Sequence, residues 1–243
     1  MYKNDIKGYD FYVFGCSHTA NMHCDTFPYF ENCNFKSYAW GGNSNDRILR
    51  ELKEQIISIT NNFTKKANQV YFNIQFTYFN RTEFYSDIDS NYLTFHSPSV
   101  LNQHFTTQEQ FGETYDDFYK NWLTYFFDEE TRLKELLREC RILKNLMNTF
   151  NIKFSWYLWS GIHLLETKNS KKEFIEKKVI FQKEFEELNF EKFDDYWYFE
   201  DYAIKHKLRF FDIKGINDYH LTQENNYILA DIIKKLFYSK IMI

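Results

Sequence analysis

Short apolar runs alternate along this chain with longer segments whose apolar residues recur every three or four positions, and that alternation leaves few folds open. Strands are expected at about Asp10 to Phe14, Asn34 to Ala39, Val70 to Phe76, Lys153 to Trp159 and Leu208 to Ile213. Between them lie helical patterns. Ile48, Leu49, Leu52, Ile56 and Ile59 share one face, as do Leu133, Leu136, Leu137, Cys140, Leu143 and Met147 within a helix from about Glu129 to Phe150. Further helices are expected over Ser170 to Leu188 and Thr222 to Phe237. Strand runs this apolar need cover on both faces, so the expectation is a three-layer α/β/α sandwich around a mainly parallel sheet of about five strands.

A chain of 243 residues can bury one sizeable core, and residues 1–243 are read as a single domain. The stretch from about 83 to 127 lacks clean periodicity and is read as an insertion, long enough to be a functional lid or to carry structure of its own. The segment Asn189 to Tyr202, dense in aromatic residues and acids, is the second place that could rim a cleft. Phe and Tyr number 27 and 19, while Gly and Pro number only 7 and 2, a bias that follows A/T-rich codons. A formal net charge of −4 supplies no basic field, so nucleic acid is not expected as a partner. No stretch approaches the roughly 20 apolar residues of a membrane span, and Met1 to Asp5 lead into no long apolar segment of a secretory signal. The four cysteines form no CxxC pair, which fits a reduced, cytoplasmic setting.

The chemistry-bearing residues gather at strand ends. Phe11-Tyr12-Val13-Phe14 runs into Gly15-Cys16-Ser17-His18, so a serine follows the first strand where α/β sheets bind ligands. Near the other end, Asn217-Asp218-Tyr219-His220 follows the last expected strand after a short loop. A serine, an acid and a base at opposite ends of one domain point to a Ser-His-Asp site.

With these blocks in place, the chain resembles the SGNH/GDSL hydrolase superfamily, as a divergent member. Gly15-Cys16-Ser17 stands where that family has Gly-Asp-Ser, and Gly42 in Gly-Asn-Ser-Asn resembles the second block, whose glycine N–H helps form the oxyanion hole. The resemblance implies a flavodoxin-like topology, Ser17 as nucleophile, His220 as general base, and no metal or organic cofactor. The third block departs from the family's Gly-x-Asn-Asp. Here the strand exits through Gln75-Phe76-Thr77-Tyr78-Phe79-Asn80-Arg81, and strand register puts Thr77 on the asparagine that donates to the oxyanion. Thr77 through its hydroxyl, Gln75 through its amide, or Asn80 folding back are the substitutes available. Losing one such donor costs a serine hydrolase about 10²–10³ in kcat.

Asp218 is preferred over Asn217 as the third triad member, since an Asp-to-Asn change in a serine-protease triad costs about 10⁴ in kcat. His18, Gln75, Asn80 and Arg81 are read as lining the substrate pocket; for Arg81 an ion pair with Glu83 is the plainer reading and an acidic substrate group the alternative. The Cys16 thiol should pack inward if Ser17 faces the cleft. His18, His23, Cys24 and Cys33 match no closed two-plus-two ligand set, so no metal is expected. Trp156 and Trp159 default to core packing over sugar stacking. The activity expected is hydrolysis of an ester, with an acyl group leaving a carbohydrate or other small polar molecule. Two rivals stand beside it. One is a catalytically weakened binding or structural module of a larger, viral or virion-associated assembly. The other is an O-acyltransferase on the same scaffold. Oligomeric state is left open.

Overall fold

A computed structural model of the chain describes residues 8–17, 19, 33–41, 43–62, 69–79, 81–86, 91–95, 121, 127–160, 171–208, 210–213 and 216–241, with backbone alone at 84–86, 91–95, 171–176, 210–213, 216–220 and 223. Four strands form the central sheet: β1 (Asp10–Gly15), β2 (Asn34–Ala39), β3 (Val70–Phe76) and β6 (Lys153–Leu158). Every pairing is parallel, and the order is β2-β1-β3-β6. The chain therefore moves outward from β1 in both directions, which opens a crevice at the carboxyl ends of β1 and β3.

Helices cover both faces, as the apolar runs require. On one side α1 (Asn45–Thr60), α2 (Glu129–Thr149) and α3 (Lys171–Leu188) bury Ile48, Leu52, Leu133, Leu143 and Phe185 against Tyr12, Phe14, Phe72, Ile74 and Trp156. On the other, α4 (Phe199–Lys205) and α5 (Gln223–Ile241) bury Phe199, Ala203, Leu229, Ile233 and Phe237 against Phe11, Val13, Tyr71, Tyr157 and Trp159. The Trp156 indole donates to the Leu188 carbonyl at 3.1 Å, so this core tryptophan is packed without losing its hydrogen bond. Among the described residues no helix is long and apolar enough to cross a membrane.

The two faces of β3 differ. Val70, Phe72, Ile74 and Phe76 are wholly apolar, while Tyr71, Asn73, Gln75 and, just past the strand, Thr77 alternate with them. Asn73, Gln75 and Thr77 are nonetheless fully buried. Ser155, opposite Asn73 on β6, accepts from the Tyr71 hydroxyl at 2.6 Å and donates to Asn73 Oδ1 at 3.2 Å. A polar ladder thus runs beneath α5 toward the carboxyl end of the sheet.

The fifth expected strand leaves the sheet. β7 (Phe210–Ile213) pairs antiparallel with β8 (Ile216–Leu221), which occupies the stretch read as a loop carrying the acid and the histidine. Inside the aperiodic 83–127 stretch, β4 (Thr82–Ser86) and β5 (Asn91–Phe95) make a second antiparallel ribbon. The aromatics of 189–202 go inward: Phe190, Phe193, Trp197 and Phe199 are all buried.

Candidate active site

The turn after β1 is built by close packing. A Cβ on Gly15 would stand 2.8 Å from Thr19 Cβ and 2.9 Å from Gln75 Oε1, with the Thr19 hydroxyl nearer still, so only glycine lets the chain fold back here. Thr19 donates its hydroxyl proton to Gln75 Oε1 in a short bond, and Gln75 Nε2 donates to Cys16 Sγ at 3.3 Å. Cys16 and Thr19 are fully buried, while Ser17 between them, with helical backbone, is half-buried. The turn leaves the serine partly exposed and buries Cys16 and Thr19. The inward Cys16 thiol agrees with the expectation.

Gln75, expected at the substrate, is instead 0% exposed and spends its amide on Cys16 and Thr19. It fixes the turn after β1 from behind. Its carbonyl accepts from Thr19, and its amide nitrogen donates one proton to the Cys16 sulfur.

The second loop is tied to the first and the third. Ser44 caps α1 by accepting from the Arg47 N–H at 3.2 Å. Just before it, Asn43 Nδ2 donates to the Gly15 carbonyl at 2.8 Å, which holds the β2 exit against the β1 exit. Just after it, Asn45 takes both backbone groups of Thr77: Oδ1 accepts from the Thr77 N–H at 2.7 Å, and Nδ2 donates to its carbonyl at 3.2 Å. A buried asparagine thus replaces the strand partner that β3 loses at its end. Sequence reading missed Asn43 and Asn45; the signal was two asparagines flanking a helix-capping serine. It also passed over Trp40, 57% exposed at the carboxyl end of β2.

Thr77 is fully buried, and its Oγ1 accepts from Arg81 Nη1 at 3.3 Å. A hydroxyl that accepts still has its own proton to donate. Arg81 also reaches the Asn43 carbonyl at 3.5 Å, and its guanidinium carbon lies 5.0 Å from the Tyr78 ring centroid. The expected Arg81–Glu83 ion pair is absent. Glu83 is held by Arg50 of α1 through two bonds of 3.1 Å, a long-range competitor that sequence adjacency does not reveal. The Tyr78 phenol is pushed well above its ordinary pKa by burial and by the Glu200 carboxylate, with Arg81 opposing, so it stays neutral.

Asp218 and His220 occupy β8, where only backbone positions are described. Phe211 pairs with Asp218, yet the preceding Phe210 pairs with Leu221, so Tyr219 and His220 are a two-residue bulge in the ribbon. Bulges of this kind gather beside active sites because they re-aim the chain locally. Leu221, directly after His220, is buried in the same cluster as Phe11 and Val13 of β1. The chain's last quarter therefore returns to the strand that leads into Ser17. His18, Gly42 and Asn80 lie outside the described residues. Trp156 and Trp159, at 0% and 1% exposure, are core residues. No cluster of three or more His, Cys, Asp or Glu side chains is placed to hold a metal ion among the described residues.

No protein-family model matches the chain, and no curated protein matches it. A solved structure from Bacteroides fragilis, described as a "putative acylhydrolase", is similar to it at a TM-score of 0.44 and 11% sequence identity, covering 98% of this chain and 89% of that one.

Proposed function

We propose that this chain is a serine acyl hydrolase of the SGNH type, cleaving an ester of a carbohydrate or other small polar molecule. The observation that carries the reading is the β1 turn. It leaves Ser17 half-buried beside the fully buried Cys16 and two residues before the fully buried Thr19, at the point where the strand order opens the sheet.

In this reading Ser17 Oγ attacks the ester carbonyl while His220 takes its proton, and Asp218 orients the ring and stabilises the imidazolium. The tetrahedral oxyanion is met by the backbone N–H groups of Ser17 and Gly42 and by the Thr77 hydroxyl, which stands where the family's asparagine donates. Arg81 supports Thr77 in that role, since its Nη1 occupies a lone pair of the hydroxyl and leaves the proton to be donated. Collapse of the intermediate breaks the C–O bond, His220 returns the proton to the departing alcohol, and water releases the acyl group by the same steps in reverse order.

A fluorophosphonate probe tests this directly. The folded protein should take one adduct, mapped to Ser17 by peptide mass spectrometry, and Ser17→Ala should take none. An unlabelled Ser17 in folded protein overturns the assignment.

A further inference from the structure

Arg81 is over nine-tenths buried, at 8% exposure, and a buried guanidinium is costly unless an anion meets it. The other described arginines each have a carboxylate within 4.0 Å: Arg47 has Glu51, Arg50 has Glu54 and Glu83, Arg132 has Asp46 and Glu135, Arg138 has Glu139, and Arg141 has Glu184. Arg81 has none among the described residues. Its two hydrogen bonds go to neutral oxygens, the Asn43 carbonyl and the Thr77 hydroxyl, and both leave from Nη1. The Nε–H and Nη2–H edge therefore finds no acceptor among the described residues. That edge presents two parallel donors, the geometry that takes a carboxylate bidentately. The Tyr78 ring against the guanidinium and the Nη1 bonds fix the plane in which the fork lies. Glu200 acts on the same phenol but makes no ion pair with Arg81.

From this we infer that Arg81 is an anion-binding residue that takes a carboxylate of the substrate, and that the chain prefers esters bearing an acidic group over neutral ones. The preference rests on the serine acyl hydrolase reading; the binding of the carboxylate does not. Through Thr77, Arg81 is linked to the oxyanion position, so the anion would sit close to the scissile ester.

Two measurements separate the claims. Hydrolysis of 4-acetoxybenzoate is compared with that of its neutral methyl ester, and binding of 4-acetoxybenzoate and of inorganic phosphate to Ser17→Ala is followed by calorimetry. The wild type should favour the acid by about 10- to 100-fold in kcat/KM. Arg81→Gln should erase that preference by raising KM for the acid, on top of a fall in kcat common to both esters through Thr77, and Arg81→Lys should keep part of the preference, as a charge without the fork. In the Ser17→Ala background 4-acetoxybenzoate should bind, more tightly than phosphate, and adding Arg81→Gln should abolish binding. Should Arg81→Gln fail to fold by circular dichroism, Arg81→Lys carries the comparison, with a loss of at least about tenfold for the acid expected from a broken bidentate pair. Turnover without preference for the acid overturns the inference and leaves the hydrolase standing. Arginine-dependent binding without any turnover does the reverse. Absence of binding to Ser17→Ala overturns it outright, and tighter phosphate binding replaces the carboxylate with a tetrahedral anion.

Discussion

Thr77 is where the proposed site departs from the pattern of the SGNH hydrolases and where its chemistry can be weighed most simply. Replacing it with valine keeps the shape and removes the only side-chain donor that the β3 exit holds at that position. Thr77→Val is expected to lower kcat by about 10²-fold with KM little changed, while Thr77→Ser should retain most activity; steady-state kinetics on an activated acetyl ester checks both. At this scale the sequence was readable where a residue type has few uses. Gly15 before Ser17 is such a case, since a strand ending in glycine and then serine has a steric reason that the Thr19 and Gln75 contacts make explicit. Arg81 was given its near neighbour Glu83 and Gln75 the substrate, whereas the partners that Glu83 and Gln75 take lie far off in sequence. Glu83 went to Arg50 across 33 residues, and Gln75 to Thr19 across 56. Buried polar side chains choose partners by topology, and topology is what a local reading lacks.

At the scale of elements, helix ends tell how a glycine-poor chain manages its turns. Asn151 (φ 56°), Asn189 (φ 62°) and Lys207 (φ 54°) each follow a helix in the left-handed region. The bonds of a helix-terminating loop accompany them: Ile152 N–H to Met147 O, Phe190 N–H to Phe185 O, and Leu208 N–H to Ala203 O, all at 2.9 Å. Asparagine tolerates that conformation; lysine pays for it. Lys207→Gly is expected to stabilise the protein by about 1 kcal/mol in urea unfolding, with no effect on activity, since Lys207 is exposed. Elements whose apolar period was strong, β1, β3, β6 and α2, were legible with nearly correct ends, and α1 by its apolar face. The β8 strand was not, because Asn217, Asp218 and His220 give it the polarity of a loop and its pairing with β7 is closed by the bulge. The β4–β5 ribbon was hidden for a related reason: a two-stranded ribbon need bury only part of one face, so its alternation is weak.

For the molecule as a whole, the parallel sheet and the β7–β8 ribbon are separate hydrogen-bonded bodies among the described residues. What joins them is packing: α5 lies against β3, β6 and β8 alike. Amides of β1 and β3, paired on both sides and sealed between two apolar layers, should exchange with solvent most slowly. Those of β7 and β8 should exchange at least about tenfold faster, and native-state hydrogen exchange measures the difference. Equal protection across both would mean that the ribbon opens only with the sheet.

That separation places the proposed nucleophile and the proposed proton acceptor on parts that can come loose independently. Mild heating or low denaturant would then abolish the proposed activity through a slipped histidine arm while circular dichroism still reads an intact fold. Resistance to inactivation would be gained most cheaply by fastening the carboxyl-terminal helix at the end away from His220.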